Sequence, residues 1–468
     1  MHQIQPFLKR TALAIIVPLT FLYSLSLSAQ RFSKEEVLSD LEELMASLEA
    51  THFDLYAYTS KQAFKAHYLQ IQNQIVKDSF SMLETTTLFQ QLVAKAHNAH
   101  TRISFPAQAY RDYAESDGRI IPLEIAIENG KALIRKNWSD VTAIPIGAEL
   151  KSINGVPIAK VLERIYLQIP AERPYFAQAQ LEGFSLPRYY WQVFGGKNNY
   201  EVQVAYNGQL ATHVLKGVRV MEDYEFKRDD ILQKDREFRF LSESVAYLRP
   251  GELGGDEARY RAFIDSAFIQ TKIQKAKTLL IDLRNNPGGD DSFGDYMVSY
   301  IADQPFKWAS KFQLKSSALV KENVRQTKDS TQAYWNSFLT HTDGTIYPFD
   351  FGYYEPQPKG KRFTGKVHVL VNRQSYSQAT VTAAQIQDYG FGEIVGEETA
   401  EYPNLFASIF TYSLPNTGIA VDVSKGKIER VSGIDTGQGV LPDIEIKDHL
   451  LEGKDEILDG LMQLITRE

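Results

Sequence analysis

Two stretches of the chain combine residue types and spacing that could do chemistry. The first is Asp282-Leu283-Arg284-Asn285-Asn286-Pro287-Gly288-Gly289, which follows the apolar run Thr278 to Ile281, read here as a buried strand. Its Pro-Gly-Gly turn admits positive φ and close backbone approach, and amides in such a turn can face an anion or a developing oxyanion. An ordinary strand-to-helix turn has the same appearance. A phosphate loop is excluded, because no Gly-Lys-Ser/Thr follows. The second stretch is Val371-Asn372-Arg373-Gln374-Ser375-Tyr376-Ser377-Gln378-Ala379, between a buried strand and a helix that reaches Tyr389. Ser375 or Ser377 either presents its hydroxyl beside the first amides of that helix or simply caps it. A serine hydroxyl becomes a useful nucleophile only with a base in hydrogen-bond reach. The chain has nine histidines. His97 and His100 stand out, one helical turn apart by spacing and so able to share a face. Either could equally be a capping or packed residue. No third ligand lies near the pair, so no metal and no cofactor are expected.

Composition narrows the chemistry further. The 468 residues include no cysteine, which removes disulfides, zinc–thiolate sites, iron–sulfur clusters, thiol nucleophiles and a lipidated N-terminal cysteine. Covalent catalysis is left to Ser, Thr, Lys or a carboxylate. A net charge of −7 gives no reason to expect nucleic acid. Hydrophobic residues at 43% and charged residues at 23% describe a globular protein.

The elements that must position these residues follow in order. Lys9 and Arg10 precede an apolar run to about Leu27 and a small-residue exit at Ala29, the parts of a secretory signal over residues 1–29. That run is shorter than a membrane span requires. Capping boxes at Ser33/Glu36 and Ser81/Glu84, with a start at Ser60 between them, predict three helices ending near His97–Thr101. From Ile120 the period becomes two, and Asn129-Gly130 and Asn154-Gly155 mark hairpin turns. Beyond Phe240, strands at 245–248, 278–284 and 367–372 alternate with helices at 258–274 and 292–301, an α/β core. The polar, aromatic stretch from Phe306 to Gly365 reads as an irregular surface excursion.

The stretch Glu149-Leu150-Lys151-Ser152-Ile153-Asn154-Gly155-Val156-Pro157-Ile158 resembles a PDZ domain. The order as a whole resembles the C-terminal processing, or tail-specific and tricorn-type, serine peptidases. It runs from a His-Thr at the end of a helical region through the PDZ-like stretch to Asp-Leu-Arg-Asn-Asn-Pro-Gly-Gly. Asn-x-x-Ser-x-Ser-x-Ala follows, then Ile394-Val395-Gly396-Glu397-Glu398-Thr399 and Gly437-Gln438-Gly439-Val440-Leu441-Pro442-Asp443-Ile444. The resemblance implies a crotonase-like protease core (240–450) with an N-terminal helical cap (30–110), a PDZ-like domain (120–220) and a C-terminal helix (451–468). It implies that Ser377 is the nucleophile and Ser375 a flanking serine. The backbone amides of Gly288 or Gly289 and of Gln378 are the implied oxyanion donors.

The base is implied by a departure. The Ser–Lys branch has a lysine near where this chain has Tyr402, whereas His100 matches the histidine of the tricorn-like branch. The acidic residue behind it falls at Asp435, with Glu401 as the alternative. The implied activity is an exported serine endopeptidase acting on protein or peptide substrates, periplasmic or secreted, with the oligomeric state left open. The rivals are an inactive scaffold that binds peptide or apolar ligands, favoured by Ala400-Glu401 where the family often has glycines, and an envelope scaffold acting only through its PDZ-like unit.

Overall fold

The structure, a computed structural model, describes residues 30–451 and 453–467. The expected leader, residues 1–29, lies outside the described residues. Both predicted capping boxes form: Ser33 accepts from the Glu36 amide while Glu36 accepts from the Ser33 amide, and Ser81 and Glu84 do the same. They start the helices Lys34–Thr51 and Met82–Ala94, with Lys61–Gln74 between them. The apolar faces of these helices, including Leu41, Leu44, Phe64 and Phe89, pack with Val421 and Val423 of the strand Ala420–Glu429. The N-terminal helices are therefore built onto a strand from the far end of the chain.

Residues 120–220 form a separate antiparallel sheet. Its order is Gln209–Lys216, Asn199–Tyr206, Glu149–Ile153, Lys131–Asn137 and Leu123–Glu128, with Val156–Pro157 beside Glu149–Ile153. Both Asn-Gly turns sit where alternation predicts them, and Asn129 and Asn154 adopt positive φ. Three helices, Ile158–Tyr166, Pro174–Phe184 and Leu186–Phe194, cover this sheet and share its core.

The core sheet runs Glu237–Ser242, Val245–Arg249, Thr278–Asp282, Lys366–Val371, Glu393–Gly396, Ile444–Glu445, parallel except for its first pair. Thr278–Asp282 is buried at every position and Lys366–Val371 at all but its first, as helices on both faces of a parallel sheet require. The two chemistry-bearing loops leave the ends of these two neighbouring strands. Asn372 Nδ2 donates to Asn285 Oδ1 (2.9 Å), and Asn285 N donates back to Asn372 Oδ1 (3.1 Å).

A second sheet combines Ile346–Pro348, Lys311–Lys315, Ala420–Glu429 and Leu405–Ser413, with Arg102–Ile103 added to Ala420–Glu429. This corrects the expectation of an irregular excursion from Phe306 to Gly365. That stretch supplies two strands and the helices Ala318–Thr327 and Ala333–Thr340, whose aromatic residues pack in the cluster of Trp308, Phe312 and Phe338. The alternation there is too short for periodicity to reveal it. Among the described residues no helix is long and apolar enough to cross a membrane, and no group of three His, Asp or Glu could hold a metal ion.

Arg373 joins the 120–220 unit to the core. Its guanidinium, 5% exposed, donates to Glu182 (2.7 Å), Glu128 (2.9 Å) and Glu397 (3.1 Å). Arg373→Ala strands Glu182, 1% exposed on its side chain, without its cation. Denaturant unfolding is expected to show a loss of about 3–5 kcal/mol.

Candidate active site

The helix Gln378–Tyr389 begins directly after Ser377, whose backbone adopts φ 55° and ψ −130°. A Cβ-bearing residue at positive φ is strained, typically by about 1–3 kcal/mol. The sharp strand-to-helix turn lifts the serine out of the sheet as a nucleophile elbow does. Ser375 points the other way. It is fully buried, donates to Leu283 O (2.7 Å) and accepts from Asn372 N (3.1 Å), so its hydroxyl is committed to holding the loop.

Ser377 Oγ lies 3.0 Å from His100 Nε2. The other ring nitrogen, Nδ1, lies 3.1 Å from Glu401 Oε1. This second contact is an ion-pair approach rather than a straight hydrogen bond, because neither Nδ1 nor Oε1 has an in-line partner among the described residues. Glu401 is 1% exposed, and its Oε2 accepts the backbone N–H of Ser377. Burial disfavours the protonated His100 ring, but the neighbouring Glu401 carboxylate, with Glu172 adding to it, outweighs it and raises its pKa above the ordinary value.

Asp435, expected behind the histidine, is exposed and accepts the Gly437 amide (3.1 Å) in a local turn. The carboxylate at the ring is Glu401. The closing Gly-x-Gly-Val motif instead backs the Glu401 loop: Gly439 N donates to Glu398 Oε1 (2.8 Å) and Val440 N to Thr399 Oγ1 (2.9 Å). A Cβ at Gly439 would sit 1.9 Å from Thr399 O, which explains the glycine.

His97 does not share a face with His100. The helix ends at Ala94, and His97 takes φ 50°, which turns the chain between them. It lines a separate cavity of about 780 Å³, and burial and Lys95 lower its pKa. The His100 loop is tied to the strand Ala420–Glu429, where Asn98 accepts from Ser424 Oγ (2.7 Å) and Thr101 Oγ1 from Ser424 N (3.0 Å).

Of the two turn glycines, Gly288 is fully engaged: its amide donates to Asn286 Oδ1 (2.9 Å), and a Cβ there would lie 2.6 Å from Ser377 Cβ and Gln378 N. The amides of Gly289 and Gln378 have no hydrogen-bond partner among the described residues. Both residues line a cleft of about 510 Å³ together with Ser377 and His100.

Lys425, absent from the sequence reading, also lines this cleft. It is 2% exposed and donates to Ser408 O (2.9 Å), Ser408 Oγ (2.7 Å) and Tyr334 OH (3.2 Å). Burial, with Lys328 nearby, lowers its pKa to about 7. No spacing in the strand sequence signals it. Tyr402, in the lysine slot of the other branch, has the Arg173 guanidinium 5.0 Å from its ring centroid.

A strained serine, a histidine and a buried carboxylate in contact form the arrangement that acyl transfer uses. The model of "Peptidase family S41" matches residues 244–446. That match supports a serine-type peptidase. The chain's fold is similar to that of mature CPAF complexed with lactacystin, at 15% identity and TM-score 0.64, over 93% of this chain and 98% of that one. It is similar to the CPAF S499A mutant at 15% identity and TM-score 0.65, over 93% and 97%. The photosystem II D1 C-terminal processing protease matches at 17% identity over 92% and 96%, with a TM-score of only 0.43. No curated protein matches.

Two measurements follow for this site. The His100 ring is expected to titrate, by NMR of labelled histidine, with a midpoint above the ordinary ~6.5, and Glu401→Gln is expected to bring it down. Because the folded value is raised, the His100 contribution to folding stability is complete below pH ~6.5 and fades as pH climbs through the folded value. Ser377→Gly is expected to be more stable than Ser377→Ala by about 1 kcal/mol in thermal unfolding, since glycine relieves the positive φ.

Proposed function

We propose that this chain is an exported S41-type endopeptidase in which Ser377 is the nucleophile, His100 the base and Glu401 the carboxylate behind it. Ser377 Oγ attacks the scissile carbonyl while His100 Nε2 takes the hydroxyl proton. The tetrahedral intermediate collapses as His100 returns that proton to the leaving amine, and a water then releases the acyl group by the same route. The amides of Gly289 and Gln378 hold the oxyanion, a contribution of about 10²–10³ in rate for one donor. Gly288 serves by having no side chain, so that the turn can press against Ser377.

The observation that carries this reading is the Ser377–His100–Glu401 chain of contacts, 3.0 and 3.1 Å, at a backbone position strained in a way that capping alone does not need. An inactive ligand-binding scaffold has no observation of that kind behind it. The domain division follows the sequence: helical cap 30–110, PDZ-like unit 120–220, crotonase-like core 240–450 and C-terminal helix 451–468. The PDZ-like unit receives a substrate's C-terminal segment or gates the cleft. Export rests on the leader-like pattern of residues 1–29.

Ser377→Ala and His100→Ala are each expected to lower kcat/KM on unstructured peptides by more than about 10³-fold and to abolish labelling by a fluorophosphonate. His97→Ala and Asp435→Ala are expected to stay near wild type. Full hydrolysis by Ser377→Ala would sink the assignment.

A further inference from the structure

The adjacent residues Glu172 and Arg173 lie between the helices Ile158–Tyr166 and Pro174–Phe184 of the 120–220 unit. Their side chains reach out of that unit to different loops. Glu172 Oε1 accepts Asn98 Nδ2 (2.9 Å) and the Ala99 amide (3.1 Å), the two residues before His100. Arg173 spends its guanidinium on three consecutive residues before Glu401: Nη1 donates to Glu398 Oε1 (2.6 Å), Nη2 to Thr399 O (2.7 Å) and Nε to Ala400 O (2.7 Å). A fork of fixed geometry can do this; an ammonium group cannot. We propose that Glu172–Arg173 is a positioning clamp for hydrolysis, with Glu172 holding the loop that carries His100 and Arg173 the loop that carries Glu401. The clamp makes the geometry of the catalytic contacts depend on the 120–220 unit. This deepens the reading above and rests on it.

Glu172 is more than a strut. Its Oε2 is buried with no hydrogen-bond partner among the described residues. Burial and the neighbouring Glu401 charge push its pKa up to about 7, opposed by the Ala99 amide and by His100. The groups facing it are Glu401 and His100, with Tyr58 and Tyr402 alongside. Those facing His100 are Glu401, Glu172 and Arg102, the last opposing protonation. An ionised Glu172 therefore adds to the field that holds the His100 proton, and losing that charge eases the ring toward its neutral form.

The test uses the full chain. Glu172→Gln keeps an oxygen for Asn98 and Ala99 but removes the charge. It is expected to leave the kcat plateau within about threefold while the acid limb of kcat/KM moves to lower pH. Arg173→Lys keeps the charge but not the fork. It is expected to lower kcat by about 10²-fold with little change in KM, as a small misplacement of the base does. Wild-type kcat in Arg173→Lys together with a wild-type pH profile in Glu172→Gln overturns the clamp. A second readout needs no turnover: NMR titration of His100 in the Ser377→Ala background. There the midpoint is expected to be lower with Glu172→Gln, and an unchanged midpoint also overturns the clamp. Should wild type neither cleave peptides nor take up a fluorophosphonate, the hydrolytic reading falls, while the His100 titration still decides whether Glu172 acts on the ring.

Discussion

The buried carboxylate of Glu401 is the constraint on which the rest of the site depends. One oxygen accepts the backbone N–H of Ser377 and the other faces the His100 ring. A single acidic group thus fixes the strained turn that presents the hydroxyl and the orientation of the ring beside it. A buried carboxylate is costly unless its oxygens are satisfied, so the positions of Ser377 and His100 are set by what stabilises Glu401. The strain at Ser377 persists for the same reason: the surroundings over-determine it. Thr399 Oγ1, Gly439 and Val440 then hold the Glu401 loop against the end of the chain.

Both partners of Ser377 hang from one hairpin. His100 stands just before Arg102–Ile103, which pairs with Ala420–Glu429, and Glu401 stands just before Leu405–Ser413, which pairs with the same strand. Ser377 comes from the other sheet. The site is a seam between two sheets, and the 120–220 unit is fastened beside it by buried, paired polar groups: Arg373 to Glu182 and Glu128, and Gln374 to Ala179 O. Breaking one such group leaves its partner desolvated and alone, which is why a seam of this kind is rigid.

What the sequence makes legible here is local. Capping boxes, Asn-Gly turns, the buried strands, Ser377 at its strand-to-helix junction and His100 all follow from short-range pattern or from motif order. The carboxylate does not. Glu401 and Asp435 are both acidic residues in turns near the closing motif, and only the fold decides that one is buried at the ring and the other exposed. His97 and His100 look one turn apart because spacing says nothing about where a helix ends, and the left-handed conformation of His97 breaks the register. Glu172, Arg173 and Lys425 are invisible for a related reason: each acts on groups far away in the chain, and nothing adjacent to it in sequence marks the role. The strands within 306–365 are short and pair with distant partners, so alternation had no length in which to show.

The contact between His100 and Ser377 spans 277 residues of chain. A polypeptide growing from its N-terminus therefore carries the ring through most of its synthesis before the hydroxyl exists. Even then the strand that steadies the ring, Ala420–Glu429, has yet to emerge. Contacts of such long sequence separation form late, after the loop-closure entropy of the intervening chain has been overcome. A chain that lacks its last fifty residues therefore retains Ser377 and His100 but loses the strand edge and closing motif that bring them together.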